Sequence, residues 1–364
     1  MSNSLIGQRL RMLRDEKGLS QADIAALLEL NDRQTVQAIE SGARSLKAPE
    51  LVALVQELQL PIDYFTDPFR LRHKAAFCWR KSGEAADARL GDFQEKAKAW
   101  LGAYRALAER SGDLPVTLPT LGLGERSSLE EAEAAAERLA AKHFGDSVPA
   151  ARLARVIEDD LDTLVLMVDA DPSISGAACH TVGLNAALVN RHEVEGRRNF
   201  DLAHELFHVL TWQELPPAYI DGQGTKKQAR TEKLADKFAI TLLTPAFKLA
   251  KYRTSQVATV DWLNRTADEF GVTSLALMYR VLNLGWITKP QADGIDRSLL
   301  VNNGRRTPRT ESVLPFGRRF LSAFSEGIGE GRISVRKAAA ILGVTVDGLG
   351  RLLEGHGLEK NFDL

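Results

Sequence analysis

Residues 201–210 read DLAHELFHVL, a stretch that places two histidines four residues apart around a glutamate. On a helix, positions i and i+4 share one face, so His204 and His208 can hold one metal ion together. Glu205 then lies about 100° round the helix, where its carboxylate can take a proton from water that the metal activates. Apolar residues between them supply a face for core packing: Leu202, Leu206, Val209 and Leu210. The stretch predicts a buried helix that carries a hydrolytic zinc site.

A catalytic zinc ion takes three protein ligands, so the two histidines require a further one. The strongest candidate is Glu232, which stands four residues before Asp236 on a predicted helix. Glu232 could bind the ion while Asp236 accepts the other N–H of a histidine ligand. Glu214 and Asp221 are weaker alternatives, because they lie in a segment that contains proline and glycine. A solvated charged face is the alternative interpretation of Glu232 and Asp236.

Strands are predicted before this helix, at residues 164–168 and within residues 177–189, with a break at Gly183. If residues 177–189 include an edge strand, an extended peptide could pair with it. The group that would stabilise an oxyanion stays open among His180, Tyr219 and Arg230.

The overall composition indicates ordinary folded domains. The chain has 364 residues, of which 44% are hydrophobic and 26% are charged, and this excludes general disorder. No uncharged apolar run approaches the roughly 18 residues of a membrane helix, and no signal peptide is evident. Only two cysteines occur, far apart in the sequence, which fits a reducing compartment. We therefore expect a cytoplasmic protein with no membrane partner.

The net charge of −1 excludes a uniformly basic nucleic-acid binder, but the charge is unevenly distributed. Residues 1–69 carry seven basic and ten acidic residues, whereas residues 70–112 carry ten basic and five acidic residues. The second segment could form a phosphate-binding stripe or a solvated linker face through Arg70, Arg72, Lys74, Arg80 and Lys81. A further basic cluster, from Arg305 to Arg319, could contact nucleic acid or be a surface loop.

Residues 5–65 resemble an XRE/Cro-type helix-turn-helix domain. The resemblance rests on residues 9–14 (RLRMLR), 18–21 (GLSQ), 39–42 (IESG) and 51–54 (LVAL), with Ile24 and Ala25. It implies a recognition helix that enters the major groove of DNA. Its candidate DNA contacts are Gln21, Arg33, Gln34, Thr35 and Gln37. Because the module is net acidic, dimerisation or recognition of another helix-turn-helix protein is the alternative.

Residues 128–250 resemble the ImmA/IrrE family of metallo-endopeptidases. The resemblance rests on Gly176, Asn190 and residues 200–208 (FDLAHELFH), 232–239 (EKLADKFA) and 242–245 (LLTP). It implies a gluzincin-like peptidase with a Zn²⁺ cofactor, the ligands His204, His208 and Glu232, and Glu205 as general base. Two positions depart from the family pattern, since Asp201 and Asp236 stand where members often have threonine and asparagine.

The family resemblance also implies a narrow substrate: a cognate helix-turn-helix repressor, cleaved to derepress a stress, DNA-damage or anti-phage response. DNA could be a target or an activator. The alternative function is a DNA-binding regulator whose peptidase-like domain is a sensor that cuts nothing. The sequence leaves the substrate, the activating signal and the oligomeric state open.

The predicted fold class is α+β and predominantly helical, with a small sheet in the peptidase domain. We expect a helix-turn-helix domain at residues 1–69, a basic linker and helix at 70–112, the peptidase domain at 113–290 and a helical region at 291–364. Within the last, residues 333–353 read as two helices joined at Gly343. This hairpin resembles a second helix-turn-helix, although simple packing on the peptidase domain is the plainer interpretation.

Cys78 lies in the segment FCWRK, residues 77–81. A thiolate can occupy the open position of zinc, and Arg80 and Lys81 would lower the pKa of this thiol. Cys78 is therefore a candidate inhibitory zinc ligand. The alternative is a small buried residue between aromatic side chains.

Overall fold

The computed structural model of the chain describes residues 3–71, 75–81, 86–108, 120–216, 226–301 and 313–362. Buried side chains form three hydrophobic clusters: one in the N-terminal domain and one on each side of a four-stranded sheet. The α+β, mostly helical fold class is thereby confirmed. None of the helices in the described ranges combines the length and the apolar character of a membrane span.

The N-terminal domain is a compact group of short helices around a core of its own. Ser20 begins the second helix with a capping box to Asp23, and Asp32 caps the third by accepting a hydrogen bond from the backbone N–H of Thr35. Leu10, Ile24, Val36, Leu54 and Phe65 are among its buried residues. The helices are α1 (Asn3–Lys17), α2 (Gln21–Leu27), α3 (Arg33–Glu40), α4 (Ala48–Glu57) and α5 (Asp63–Thr66).

The sheet has the strand order β1-β3-β4-β2. Its strands are β1 (Ala76–Lys81), β2 (Thr163–Val168), β3 (Ile174–Thr181) and β4 (Leu184–Asn190). Strand β3 pairs antiparallel with both β1 and β4, whereas β2 pairs parallel to β4. Gly183 takes a φ of 74° between β3 and β4, a conformation that glycine adopts at little cost, and so permits a tight turn at the predicted break.

Helix α6 (Ala86–Ala108) packs on one face of the sheet through Phe93, Trp100 and Leu101. The opposite face is covered by helices whose buried side chains form the largest cluster. These are α7 (Leu129–Phe144), α8 (Pro149–Asp159), α9 (Glu195–Leu210), α10 (Lys226–Leu243), α11 (Ala246–Leu249), α12 (Val260–Phe270), α13 (Ser274–Asn283) and α14 (Lys289–Asp293). Gly271, with a φ of 60°, ends α12 in the left-handed conformation that favours glycine.

The C-terminal helices return to the face that α6 covers. They are α15 (Arg318–Gly329), α16 (Val335–Leu342) and α17 (Val346–Gly355). Ala338, Leu349 and Leu353 are buried in the same cluster as α6, and the indole of Trp100 donates a hydrogen bond to the carbonyl of Ile341. The predicted hairpin at Gly343 is thus present, and its apolar side is used for packing against the rest of the chain.

One segment differs from its sequence-based description as a basic linker. Residues 76–81 form the strand β1, whose neighbours in the sheet lie about a hundred residues further along the chain. Phe77 and Trp79 point into the cluster with α6, while Cys78 and Arg80 point to the side of α9. In the sequence, the only indication of this strand is that side chains of residues 76–81 alternate in character. An alternation over six residues is too short to distinguish a strand from a loop.

A buried arginine joins α13 to α7. Arg280 has no exposed surface, and its guanidinium contacts Glu133, hydrogen-bonds Glu137 Oε1 at 2.8 Å and donates to the carbonyl of Thr244. Removing one partner of a buried charge network leaves the other charges without compensation.

We predict that Arg280→Met lowers the free energy of unfolding by about 3 kcal/mol, because Glu137 loses its cation and Glu133 keeps only Lys237. Chemical denaturation followed by circular dichroism measures this loss. Arg155→Ala is the control, since Arg155 pairs with Asp159 on the exposed surface and should change stability little. Equal stability of the Arg280 variant and the parent would contradict the prediction.

Candidate metal centre

Helices α9 and α10 bring five of the predicted site residues together. His204 Nε2 and His208 Nε2 lie 3.2 Å apart on one face of α9. Glu232, on α10, places Oε2 at 3.1 Å from His204 Nε2 and Oε1 at 3.5 Å from His208 Nε2. The apolar residues of α9 and α10 pack in the largest cluster, and this packing faces the two helices towards each other.

The spacing of these donor atoms fits a zinc ion. Ligands about 2.0–2.1 Å from a tetrahedral ion stand roughly 3.3 Å from one another. The three donors of His204, His208 and Glu232 are separated by 3.1–3.5 Å, and two imidazoles with one carboxylate are a donor set that zinc favours. These three side chains would hold the ion.

Asp236 lies behind the first histidine. Its Oδ1 is 2.9 Å from His204 Nδ1, so a proton on Nδ1 is held by the carboxylate and Nε2 faces Glu232 and His208. This is the arrangement in which a carboxylate fixes the tautomer and the ring orientation of a metal-binding histidine. The structure therefore places Asp236 where the sequence predicted an orienting residue.

Glu205 is buried, with 1% of its surface exposed, and points into the same site. Within the described part of the chain, neither carboxylate oxygen has a hydrogen-bond partner. Its side chain lies against Gly176 on β3, where a Cβ atom would stand 3.2 Å from Glu205 Oε1 and 2.8 Å from the carbonyl oxygen of Leu188. Glycine fits there because a side chain would collide with the Leu188 carbonyl and would also crowd the Glu205 carboxylate.

The pKa values in this cluster move in opposite directions. Burial raises the pKa of Glu205 to about 8, partly offset by His204 and Arg80. Burial lowers the pKa of His208 to about 4, and repulsion from His204 adds to this effect. For Glu232, burial acts to raise the pKa, but the hydrogen bond with His204 and the charges of both histidines outweigh it and lower the value to about 2. Such divergence within one cluster of side chains is typical of functional sites.

Strand β1 adds a sulfur atom to the cluster. Cys78, His208 and Glu232 each place one ligand atom within 4.8 Å of the other two. One part of the sequence interpretation is wrong: burial raises the pKa of the Cys78 thiol well above its usual value, with the charges of Glu205 and Glu232 adding to the rise. Arg80 does not offset this, because its guanidinium is directed at two aspartates. The side chain of Lys81 lies outside the described residues.

Arg80 is the site residue whose role the sequence did not reveal. Its guanidinium hydrogen-bonds Asp201 Oδ1 at 2.6 Å and Asp236 Oδ1 at 3.4 Å, and it lies over the ring of Phe200. Asp201 and Asp236 thus share one cation, which comes from β1. Two aspartates near the metal ligands were a signal for a neighbouring cation, but nothing in the sequence identified which one.

The remaining candidates lie apart from this network or outside the described residues. Glu214 is exposed in the turn after α9, His180 hydrogen-bonds Asn185 within the β3–β4 hairpin, and Arg230 donates to the carbonyl of Ser127. Asp221 and Tyr219 lie outside the described residues. Strand β3 is not an edge strand, as the peptide-pairing prediction required, because β1 pairs with it.

Of the five predicted members of the phosphate-binding stripe, the structure describes the side chains of two, and both have acidic partners. Arg80 is committed to the metal centre, and Arg70 pairs with Asp63 at 2.9 Å. Of the C-terminal cluster, Arg318 donates to the carbonyl of His356, and Arg319 binds Asp162 and the hydroxyl of Tyr104. The other predicted cations, Arg72, Lys74, Arg305, Arg306 and Arg309, lie outside the described residues.

The predicted DNA contacts divide into two groups. Arg33, Gln34 and Gln37 are exposed on α3. Gln21 instead donates a hydrogen bond to Glu40 at 2.8 Å, and Thr35 is bound to the capping carboxylate of Asp32. The first group presents free polar side chains on one helix, whereas the second stabilises the domain itself.

Two family models match the chain. Residues 10–65 match the helix-turn-helix model, and residues 183–282 match the model described as IrrE N-terminal-like domain, a peptidase family. Both resemblances stated from the sequence are confirmed, so the chain combines a helix-turn-helix domain with a peptidase-family domain. No curated protein matches the chain.

We predict that Asp236→Ala weakens zinc binding by about 10–100-fold, because His204 loses the carboxylate that orients it. Competition with a chromogenic chelator measures the dissociation constant. Glu214→Ala, at the exposed alternative ligand, should leave the constant unchanged. The ligand assignment would fail if the Glu214 variant lost zinc while Asp236→Ala and Glu232→Ala retained it.

Proposed function

We propose that this chain is a zinc-dependent endopeptidase that cleaves a helix-turn-helix transcriptional repressor and so derepresses a stress, DNA-damage or anti-phage response. One observation carries the proposal: a buried carboxylate, Glu205, has no hydrogen-bond partner in the described residues and lies beside three donors spaced for one zinc ion. A purely structural metal site has no need of a base in that position, and leaving one there unpaired is costly.

Each of these side chains has a separate role in peptide hydrolysis. When bound by His204, His208 and Glu232, zinc supplies a Lewis acid that polarises a peptide carbonyl and makes water more acidic. Glu205 takes the proton from the attacking water and passes it to the nitrogen of the leaving amine. Asp236 keeps the Nδ1 proton of His204 in place, so that Nε2 is free to bind the ion.

The site would act inside a regulatory protein of the cytoplasm. We keep the proposed domain boundaries at 1–69, 70–112, 113–290 and 291–364. In the second of these segments, β1 is part of the sheet, and α6 packs against the sheet and the C-terminal helices. The helix-turn-helix domain supports DNA as a partner through Arg33, Gln34 and Gln37. Its excess of acidic residues supports a second role, in which it recognises the repressor that is cleaved.

The competing function is a regulator that binds DNA and uses its peptidase-like domain only as a sensor. The two functions make different demands on Glu205. A sensor needs the three ligands but no base, whereas a peptidase loses its proton carrier when Glu205 is neutralised.

We predict that Glu205→Gln keeps its zinc content but cleaves the repressor encoded beside its gene about 10²–10⁴-fold more slowly, because the amide cannot accept the proton. Gel electrophoresis of the purified repressor measures cleavage, and atomic absorption measures zinc. Glu214→Gln is the control and should cleave normally. The sensor function would be favoured if the zinc-loaded parent left this repressor intact, with or without added single-stranded or double-stranded DNA. An Arg80→Ala variant, in which β1 loses its ion pairs with Asp201 and Asp236, would also have to leave the repressor intact.

We further propose that Cys78 is the fourth ligand when no substrate is bound, since its sulfur lies within 4.8 Å of ligand atoms of His208 and Glu232. Metal binding removes the proton of a coordinated thiol, which offsets the raised pKa.

Cobalt-substituted protein should therefore show a thiolate-to-cobalt charge-transfer band in the near ultraviolet, and Cys78→Ser should lose it. Cys179→Ser is the matched control, because Cys179 is buried on the opposite face of the sheet and should leave the band intact. A band that survives in Cys78→Ser would exclude Cys78 from the coordination sphere.

A further inference from the structure

Strand β1 lies over the metal centre and presents one side of itself to it. It pairs antiparallel with β3, with Cys78 opposite Ala178 and Arg80 opposite Gly176. Paired residues of an antiparallel sheet point to the same face, so Cys78 and Arg80 share the face on which Gly176 meets Glu205. Phe77 and Trp79 face the other way and pack towards α6.

A peptide bond that is to be cut must reach both Glu205 and the metal ligands. Glu205 contacts β3 at Gly176, and the next strand position in the sheet is about 4.7–4.9 Å further on. That position is above His208 and Glu232, and β1 holds it, since Cys78 reaches both ligands. An extended substrate pairing with β3 would therefore need the place that β1 occupies.

Arg80 fixes β1 there through a subsite of its own. The Arg80 subsite consists of Asp201, Asp236 and the ring of Phe200. The Asp201 side chain has no exposed surface and is also bound by Arg197 at 3.1 Å. A carboxylate so deeply buried requires cations beside it, and one of them comes from β1. The subsite is thus built to receive a guanidinium at a fixed distance from the metal ligands.

We propose that β1 is an internal mimic of the substrate. The edge of β3 binds an extended peptide in the place of β1, and the peptide inserts an arginine into the Arg80 subsite, two residues after the residue that faces the metal ligands. Cleavage then requires β1 to leave β3 first. The cleavage step rests on the proposed function, whereas the exchange of β1 for a peptide does not.

The occupant follows from the strand itself. β1 shows that an extended backbone, small at the position of Cys78 and cationic at the position of Arg80, fits this edge. A peptide of that pattern gains main-chain hydrogen bonds from β3 and a charge-assisted pair in the subsite. The competing arrangement is a peptide that pairs with the outer edge of β1, which has no partner strand in the described ranges.

Peptide binding to the zinc-loaded full chain tests this proposal. The probe is a fluorescein-labelled heptapeptide of residues 75–81 carrying C78A, and the protein carries Glu205→Gln so that nothing is cut. Adding Arg80→Ala weakens the hold on β1 and empties the subsite. We expect it to tighten peptide binding about tenfold or more, the range of a charge-assisted hydrogen bond. A peptide that also carries R80A should lose that gain.

Two further variants make the result specific. Arg197→Ala removes the other cation on Asp201 without touching β1, and it should leave peptide binding weak. Trp79→Ala loosens β1 from the α6 side, where the ring lies 5.5 Å from that of Phe93, and it should also tighten binding while leaving the subsite intact. Hydrogen exchange should show loss of protection at β3 in Arg80→Ala and Trp79→Ala, with β2 and β4 still protected.

Each outcome is decisive. Equal peptide binding by the parent and both β1 variants would mean that the peptide pairs with the outer edge of β1, and would overturn the proposal. The absence of binding in a folded Arg80 variant and a folded Trp79 variant would overturn it as well. If the peptide binds as expected but is not cut by the same variants with Glu205 restored, the proposed peptidase function fails while the internal mimic stands.

Discussion

Asp201 carries a carboxylate with no exposed side-chain surface, and such a group is tolerated only with cations at close range. Its two partners come from different places: Arg197 from the same helix, α9, and Arg80 from β1. The second contact joins residues that are 121 positions apart in the chain. Through it, the position of β1 becomes a condition for the stability of the helix that carries the metal ligands.

Asp236 extends this dependence to the metal centre. Its Oδ1 is shared by His204 Nδ1, at 2.9 Å, and by Arg80, at 3.4 Å. When β1 is in place, one carboxylate both orients a metal ligand and binds the strand above it. If β1 were displaced, Asp236 would keep its hydrogen bond with His204 but lose its contact with Arg80. A change at the sheet edge would therefore alter the environment of the metal ligand His204 through one side chain. This is a short physical connection between substrate access and metal binding.

The N-terminal domain has its own core and its own charge balance. Glu40 is buried and is hydrogen-bonded by Arg14 and Gln21, so these polar side chains stabilise the domain itself. The exposed side chains of α3 remain available to a partner. Lys337 of α16 also pairs with Asp67, which follows the last helix of this domain, and so connects it to the C-terminal helices. The helix-turn-helix domain is therefore in contact with the part of the chain that packs against the sheet.

The local features of this fold follow from the order of the amino acids alone. Four-residue spacing puts His204 and His208 on one helical face, and the same spacing links Glu232 to Asp236, because 3.6 residues complete a turn. Ser20 and Asp32 mark helix starts for a reason equally local, the unpaired N–H groups of a first turn. The break between strands at Gly183 is local in the same way. Three other features arise only when the whole chain has folded: β1 closes the edge of the sheet, Cys78 faces the metal ligands, and Arg80 binds Asp201 and Asp236. Strand pairing and buried charge pairing join residues far apart in the chain, and no spacing along a sequence records which partner a buried charge will meet.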